Sequence, residues 1–310
     1  MRLLRLVPDN TKIRFMRGRF AGVITSAVLS IASIILFIHP GLNYTIDFRG
    51  GVLTELRFAA DVDDAKLRSA FGELGMGDAL VQPFGSPRDQ LVRLTTGASA
   101  ETIRPQVQAV LDKYFPGTEI LRLEVVGAKV SNDLTTAGLE ATGFALLGIL
   151  AWIWFRFDWQ FGVGLVVTLV LDATKTIGFY AVTQLPFDQD ALAAVLILIG
   201  FSVTDKVVVY DRIRENLRKF KAMPLREVID LSINQTLSRT VATSLTVLLS
   251  IVPLAIIARG SVQFFAITMV FGIFVGTMSS IFIASPILLF LGEKRLRRGD
   301  GAPSGAATAQ

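Results

Sequence analysis

The sequence contains no cysteine and a single histidine, His39. Disulfide bonds and thiolate metal sites are therefore excluded, and one imidazole is too few for an ordinary zinc or iron site. Charged residues are also scarce, since they make up 18% of the 310 residues whereas hydrophobic residues make up 52%. The mean hydropathy is +0.54. Soluble domains of this size are less apolar and more charged, so the composition predicts a protein that crosses a membrane several times.

Six apolar runs are long enough to span a bilayer as helices. They lie at 20–38, 137–155, 162–182, 191–217, 240–258 and 263–291. The first run is longer than the core of a signal peptide, and the HPGLNY segment after it lacks the small-x-small pattern that cleavage requires. We therefore interpret residues 20–38 as an uncleaved transmembrane helix.

Residues 40–136, between the first two runs, have the pattern of a soluble domain. Val52, Thr54, Leu56 and Phe58 occupy alternate positions, as in a strand with one buried face. A helical pattern follows at 67–74, then two short strands at 79–84 and 90–94, a second helix at 103–111 and a last strand at 118–126. This βαββαβ order predicts a small ferredoxin-like α+β domain. We find no catalytic constellation in it.

Lys and Arg residues predict the orientation of the chain in the membrane. They are concentrated in residues 1–19, in the connection at 212–239 and in the tail at 292–310, whereas the loops after the third and fifth runs contain only Arg259. Both termini are therefore expected in the cytoplasm and the domain at 40–136 on the outer side of the membrane. Because the basic residues adjoin apolar runs, we interpret the net charge of +5 as an orientation signal, and we expect no nucleic-acid partner.

Asp205 interrupts the fourth apolar run, and four apolar residues, 207–210, still follow it. These residues place the carboxylate below the bilayer surface, where it costs several kcal/mol unless it is protonated, paired or hydrated. We therefore interpret Asp205 as a functional residue. The alternative is a helix that ends at Ser202, with Asp205 among the lipid headgroups.

Other charged residues inside the runs are candidate partners. Asp172 lies midway along the third run, one turn before Lys175, so these two can neutralise each other. Asp205 and Lys206 are adjacent and point about 100° apart on a helix, so Asp205 needs a partner on another helix. Arg239, near the cytoplasmic end of the fifth run, lies at a matching depth. It can equally be an orientation charge whose side chain extends to the interface, and both interpretations stay open.

Several functions are compatible with these charges. An Asp205–Arg239 pair would carry a proton, since separation of the two side chains favours protonation of Asp205 and contact favours release. Asp172 and Asp205 would form an intramembrane aspartyl protease if their carboxylates lay close enough to share a proton. A small-molecule or lipid exporter and a passive membrane scaffold are further alternatives.

Four segments carry a family resemblance. Segment 41–51 contains the sequence DFRGG, and segment 126–130 reads VGAKV. These resemble the DFxGG signature and the VGxxV segment of the SecF branch of the SecD/SecF protein-export family, within the resistance-nodulation-division superfamily. Segments 198–217 and 236–253 resemble its fourth and fifth transmembrane helices. The signature residues are Asp47, Phe48, Gly50 and Gly51. Thr204 and Lys206 depart from the family, which commonly has Asn and a small residue at these positions.

The resemblance implies a transport subunit rather than an enzyme. Such a subunit would act with SecD and the SecYEG translocon and its accessory proteins, and would use the proton motive force to complete export of an unfolded polypeptide across the cytoplasmic membrane. The protein would lie in the inner membrane with the domain at 40–136 in the periplasm, where this domain would engage the emerging polypeptide. Asp205 and Arg239 would form the proton pathway, with Asp172, Lys175 and Lys206 as accessory charges. Protons would be the coupling ion, and neither a metal nor another cofactor is implied.

Overall fold

The computed structural model describes residues 11–72, 79–84, 86–94 and 100–291. The helices are α1 (Arg19–Ile38), α2 (Ile46–Arg49), α3 (Asp64–Gly72), α4 (Ala100–Tyr114), α5 (Ala128–Arg156), α6 (Trp159–Thr183), α7 (Gln189–Lys219), α8 (Leu225–Ile257), α9 (Ser261–Ser279) and α10 (Ser285–Leu291). The strands are β1 (Asn43–Tyr44), β2 (Gly51–Arg57), β3 (Leu80–Phe84), β4 (Ser86–Leu94), β5 (Glu119–Val126) and β6 (Pro186–Phe187). Within the described residues, six helical segments are long and apolar enough to cross a membrane. The predicted class, a helical membrane protein with a small sheet domain, is confirmed.

The domain between α1 and α5 has the predicted ferredoxin-like order. In its described part, four antiparallel strands pair in the order β3-β4-β2-β5. Val52, Leu56 and Val92 on one face of the sheet form a core with Leu67 of α3 and Ile103 of α4. Because side chains alternate along a strand, the neighbouring residues of β2 and β4 point to the opposite face. That face borders a cleft against the start of α7 and of α9.

The membrane-spanning helices divide into an inner and an outer group. Half or more of the apolar part of α6, α7 and α9 is buried in the protein, whereas α1, α5 and α8 are mostly exposed along their length. Several helices extend beyond the predicted apolar runs, α5 and α8 by the most residues. α5 begins at Ala128, inside the range assigned to the soluble domain, and only residues 220–224 separate α7 from α8. The basic connection at 212–239 is therefore largely helical, and the amide of Asn216 donates to the Ser232 hydroxyl at 2.9 Å across it.

The last span is interrupted by a π-helical turn, Ser280–Ala284, between α9 and α10. Pro286 follows this turn and lacks the N–H group that would continue the α-helical hydrogen bonds. The Ser285 hydroxyl donates to the carbonyl of Ser280 at 3.1 Å within this turn. α8 also contains a proline, Pro253, and continues as one helix through it.

Polar contacts that the sequence did not predict attach the sheet domain to the outer loops between the helices. β1 pairs in parallel with β6, which lies in the loop between α6 and α7. Arg259, in the loop between α8 and α9, contacts the buried carboxylate of Asp89 at 3.2 Å. Arg57 of the same sheet contacts the other oxygen of Asp89 at 2.8 Å. The domain is thus connected to both outer loops of the inner bundle.

The N-terminal segment lies at the opposite end of the helices from the sheet domain. The backbone N–H of Ile13 donates to Asn234 at 3.0 Å, and that of Met16 donates to Asp230 at 2.8 Å. Both acceptors belong to α8 near its connection to α7. The expected basic N-terminus therefore shares a side with the basic 212–239 connection. Residues 1–10 and the predicted tail at 292–310 lie outside the described residues.

Close packing of α1 against α6 depends on Gly178. A Cβ atom at this position would lie 2.9 Å from the backbone Cα of Ser33, which cannot move without α1. We expect Gly178→Ala to push the two helices apart and lower the melting temperature in detergent, because overpacking costs about 1–3 kcal/mol.

Gly143→Ala is the matched control, since no atom lies within 4 Å of a Cβ atom there. Alanine is favoured over glycine in helices by about 1 kcal/mol, so this variant should melt at or above the parent temperature. Equal melting temperatures for the two variants would contradict the close approach of α1 and α6.

Candidate functional site

Asp205 lies in the interior of the helical bundle. Only 6% of its surface is exposed, and α7 continues without interruption to Lys219. The alternative in which the helix ends at Ser202 is therefore wrong. The Oδ2 atom of Asp205 has no hydrogen-bond partner within the described residues. A buried carboxylate with an open acceptor is a group whose charge depends on what approaches it.

Arg239 is on α8, but it does not contact Asp205. α8 buries Thr236, Thr240 and Ser244 and leaves Arg239 exposed on its outer side. Within the part of the chain that the structure describes, no ion pair joins the Arg239 guanidinium to Asp205. The expected pair is thus not formed in this conformation, in which Asp205 is buried and Arg239 is exposed. Their role in a proton pathway stays a prediction.

The exposed side of α8 is unusually polar for a membrane-spanning helix. Besides Arg239, it presents Gln235, Ser238, Thr243, Thr246 and Ser250. The hydroxyls of Thr243, Thr246 and Ser250 donate to backbone carbonyls of their own helix at 2.8–3.1 Å. The guanidinium of Arg239 has no such internal partner in the described residues.

Asp172 is the centre of a buried charge cluster that joins α6 to α7. Its Oδ1 accepts from Lys175 at 3.3 Å, as the one-turn spacing predicted. Its Oδ2 accepts from Lys206 at 2.6 Å and from the Ser202 hydroxyl at 2.7 Å. The closer partner therefore lies on the neighbouring helix, and the self-neutralising Asp172–Lys175 pair was an incomplete prediction.

The partner of Lys206 could not be identified from the sequence, because the rotation of α7 against α6 decides it. One signal was available. Ser202 lies four residues before Lys206 on the same helix face, and Lys206 Nζ donates to its hydroxyl.

Asp172 and Asp205 are not hydrogen-bonded to each other in the described residues, so the arrangement that an aspartyl protease requires is not formed.

The predicted signature turn connects the sheet domain to the start of α7. Asp47 accepts a hydrogen bond from the backbone N–H of Gln189, the first residue of α7, at 3.3 Å. The ring of Phe48 lies 5.8 Å from that of Phe187. Gly50 and Gly51 have φ angles of 70° and 119°, which side chains rarely permit. The turn therefore positions the outer end of the helix that carries Asp205.

Arg93, which the sequence analysis did not identify, is buried beneath this turn. Its Nη1 donates to the Asn43 side chain at 2.7 Å and to the carbonyl of Tyr44 at 3.1 Å. Burial lowers the pKa of Arg93 to about 10, so it stays charged at neutral pH. An available signal was its place in β4 between Val92 and Leu94, which assigns it to the face opposite the core.

Metal binding has no support in the described residues, because they contain no group of three or more His, Asp or Glu side chains that could hold an ion. The structure instead places charged groups in two areas. One is the buried set on α6 and α7, and the other is the cleft between the sheet domain and the outer ends of the helices.

The family assignment follows from sequence profiles. The profile described as "Protein export membrane protein SecD/SecF, C-terminal" matches residues 106–294, and the "SecD/SecF GG Motif" matches residues 35–62. The chain belongs to the SecD/SecF family. The resemblance found in the motifs is confirmed.

Curated members of the family match over nearly their whole length. "Protein translocase subunit SecF" of Rickettsia bellii is 39% identical over 298 residues, which cover 95% of this chain and 98% of the relative. The protein of the same name from Rhodobacter capsulatus is 40% identical over 308 residues, with 94% and 92% of the two chains covered. These matches support a role in Sec protein translocation.

Solved structures of SecDF share the fold of this SecD/SecF-family chain. The crystal structure of the translocon-associated membrane protein SecDF from Thermus thermophilus aligns with a TM-score of 0.84 at 33% identity, over 91% of this chain. SecDF in its super-membrane-facing form aligns with a TM-score of 0.67 at 31% identity, over 96% of this chain. The chain spans about two fifths of each SecDF chain, 39% and 41%.

Asp188 makes the stability of this site depend on pH. Burial raises its pKa from 3.8 to about 6, although its carboxylate accepts the N–H of Ala191 at the start of α7. The folded protein therefore binds more protons than the unfolded chain between these two values. The free energy of unfolding should therefore fall by on the order of 2 kcal/mol as the pH rises from about 4 to about 6.

We expect Asp188→Asn to remove this dependence, because the amide oxygen still accepts from Ala191 but does not ionise. Melting temperatures measured in detergent from pH 4 to pH 7 check this, with the exposed Asp190→Asn as control. A parent protein and an Asp188→Asn variant with parallel pH profiles would contradict the effect of burial.

Proposed function

We propose that this chain is a SecF-like subunit that acts with a SecD-like partner and uses the proton motive force to complete the export of unfolded polypeptides. The observation that carries the proposal is the buried Asp205 carboxylate with an open acceptor, in a helix long and apolar enough to cross the membrane. Burying a carboxylate within the membrane costs free energy, so we expect a residue of this kind to have a function. Protons are the coupling ion in this proposal.

The exposed position of Arg239 supports a partner subunit. A guanidinium and five polar side chains on the outer side of α8 would be costly against lipid tails. A second membrane subunit that covers this side would remove Arg239 from lipid and could rotate α8 toward Asp205. The SecDF neighbours, in which this fold occupies about two fifths of one chain, favour a SecD-like partner. The SecYEG translocon and its accessory proteins are the further partners that we propose.

The distribution of charge supports one orientation in the cytoplasmic membrane. The described part of the basic N-terminus and the α7–α8 connection share one end of the bundle, and the sheet domain occupies the other. Under the positive-inside rule, both termini are cytoplasmic and the domain at 40–136 is periplasmic. The emerging polypeptide would then meet the sheet domain. We propose transport without an enzymatic reaction of this subunit.

Substitutions at the two proton-pathway positions test the function. We expect Asp205→Asn and Arg239→Met each to abolish the stimulation of export without lowering the amount of protein. Asparagine keeps the shape of the side chain but does not exchange a proton, and methionine removes the cation. Secretion of a reporter protein, in cells that depend on this subunit, measures the effect.

Asp211→Asn is the matched control. It removes a carboxylate of the same helix whose ion pair with Arg156, at 2.6 Å, is partly exposed and worth about 1 kcal/mol or less. This variant should export like the parent. Parental export by Asp205→Asn would refute proton coupling and would favour a passive scaffold.

A further inference from the structure

The cluster around Asp172 is not used by the proposed Asp205–Arg239 pathway. Asp172, Lys175, Lys206 and Ser202 are exposed by 6%, 6%, 0% and 2%. Lys206 contacts both Asp172 and the Ser202 hydroxyl. Among the described residues, the Lys175 ammonium has one polar contact, at 3.3 Å to Asp172 Oδ1. Lys175 is therefore the less tightly held of the two ammonium groups.

The charges of this cluster do not balance by themselves. In their ordinary states, one carboxylate and two ammonium groups add up to a net charge of +1. Asp205 is the only other charged side chain of α6 and α7 that is buried in the described residues. The buried total is zero when Asp205 is ionised and +1 when Asp205 is protonated. Arg239 does not enter this balance, because it is exposed.

The surrounding helices do not correct the imbalance. α1 carries only Arg19, and α9, α10 and the π-helical turn between them carry no charge. None of the charged residues of α5 and α8 contacts the cluster in the described structure. They are Lys129, Asp133, Glu140, Arg156, Arg226, Glu227, Asp230 and Arg239. The buried hydroxyls of Tyr180 and Tyr210 bond Thr268 and the carbonyl of Ala284 instead.

Building on the proposed function, we propose that the Asp172–Lys175–Lys206 cluster is a second proton site coupled to Asp205, with Lys175 as the exchanging group. When Asp205 gains a proton and forms an O–H bond, one N–H bond of the Lys175 ammonium breaks. The electron pair stays on the nitrogen, and a water molecule accepts the proton and carries it to solvent. The buried charge stays at zero, and the Asp172–Lys206 pair continues to hold α6 against α7.

Two substitutions separate proton exchange from charge at this site. Lys175→Arg keeps the positive charge but does not release a proton, whereas Lys175→Met removes both. We expect both variants to lose export stimulation and its dependence on pH, measured in membrane vesicles with a secretory protein and an imposed proton gradient. Lys219→Met, which removes an exposed lysine at the end of α7, should keep the parental pH profile.

A stability measurement tests the charge balance without transport. Asp205→Asn removes the charge that balances Lys175, and Lys175→Met removes the charge that balances Asp205. Each variant should therefore lower the melting temperature of the purified protein, because the remaining group either stays charged without compensation or is neutralised at a cost. The double variant loses one charge of each sign, so its melting temperature should fall by less than the sum of the two single decreases. Non-additivity of this kind is the signature of coupled groups. Additive effects would overturn the coupling, whatever the export assay shows.

The two proposals fail in different ways. Parental export by Asp205→Asn overturns the proposed function. Loss of export by Asp205→Asn, together with parental export and pH dependence by Lys175→Arg, overturns the role of Lys175 and leaves the proposed function standing. If Lys175→Met does not accumulate, Lys175→Arg decides the question, because it preserves the cation beside Asp172.

Discussion

The arrangement of the inner helices depends on the ion pairs and the hydrogen bond of the Asp172 carboxylate. It accepts from Lys175 on its own helix and from Lys206 and Ser202 on the next. Removing one partner from a buried ion pair costs more than the pair contributes, since the remaining charge has no compensation. α6 and α7 are therefore restricted to rotations that keep this contact. Because Asp205 directly precedes Lys206, the same contact fixes the direction in which Asp205 points.

The size of the electrical driving force limits what one proton can do in such a protein. Moving one charge through a potential of 100 mV provides about 2.3 kcal/mol. Changing a two-state equilibrium from 1:99 to 99:1 requires about 5.5 kcal/mol. A single proton per cycle would therefore bias the conformation without switching it fully. Full switching would require a larger potential or more than one proton per cycle.

The fold could largely be predicted from the sequence, whereas the contacts of the site could not. Apolar runs and strand alternation depend on neighbours in the chain, and they indicated the six spans and the βαββαβ order. The partner of Lys206 depends on how α7 is rotated against α6, which no local pattern records. Arg239 illustrates the same limit. Its depth in the sequence matched that of Asp205, but the inward side of α8 proved to contain Thr236, Thr240 and Ser244.

The outer domain is attached to the helices that carry the proposed proton residues. Asp47 contacts the first residue of α7, and β1 pairs with β6 just before it. Asp205 lies further along this helix. Asp89 holds Arg259 at the outer end of α8, which contains Arg239. These contacts are polar and partly exposed, so each can break and form again at a cost of only a few kcal/mol. A change in the distance between Asp205 and Arg239 requires α7 and α8 to move relative to each other, and both helices would transmit that movement to the same outer domain.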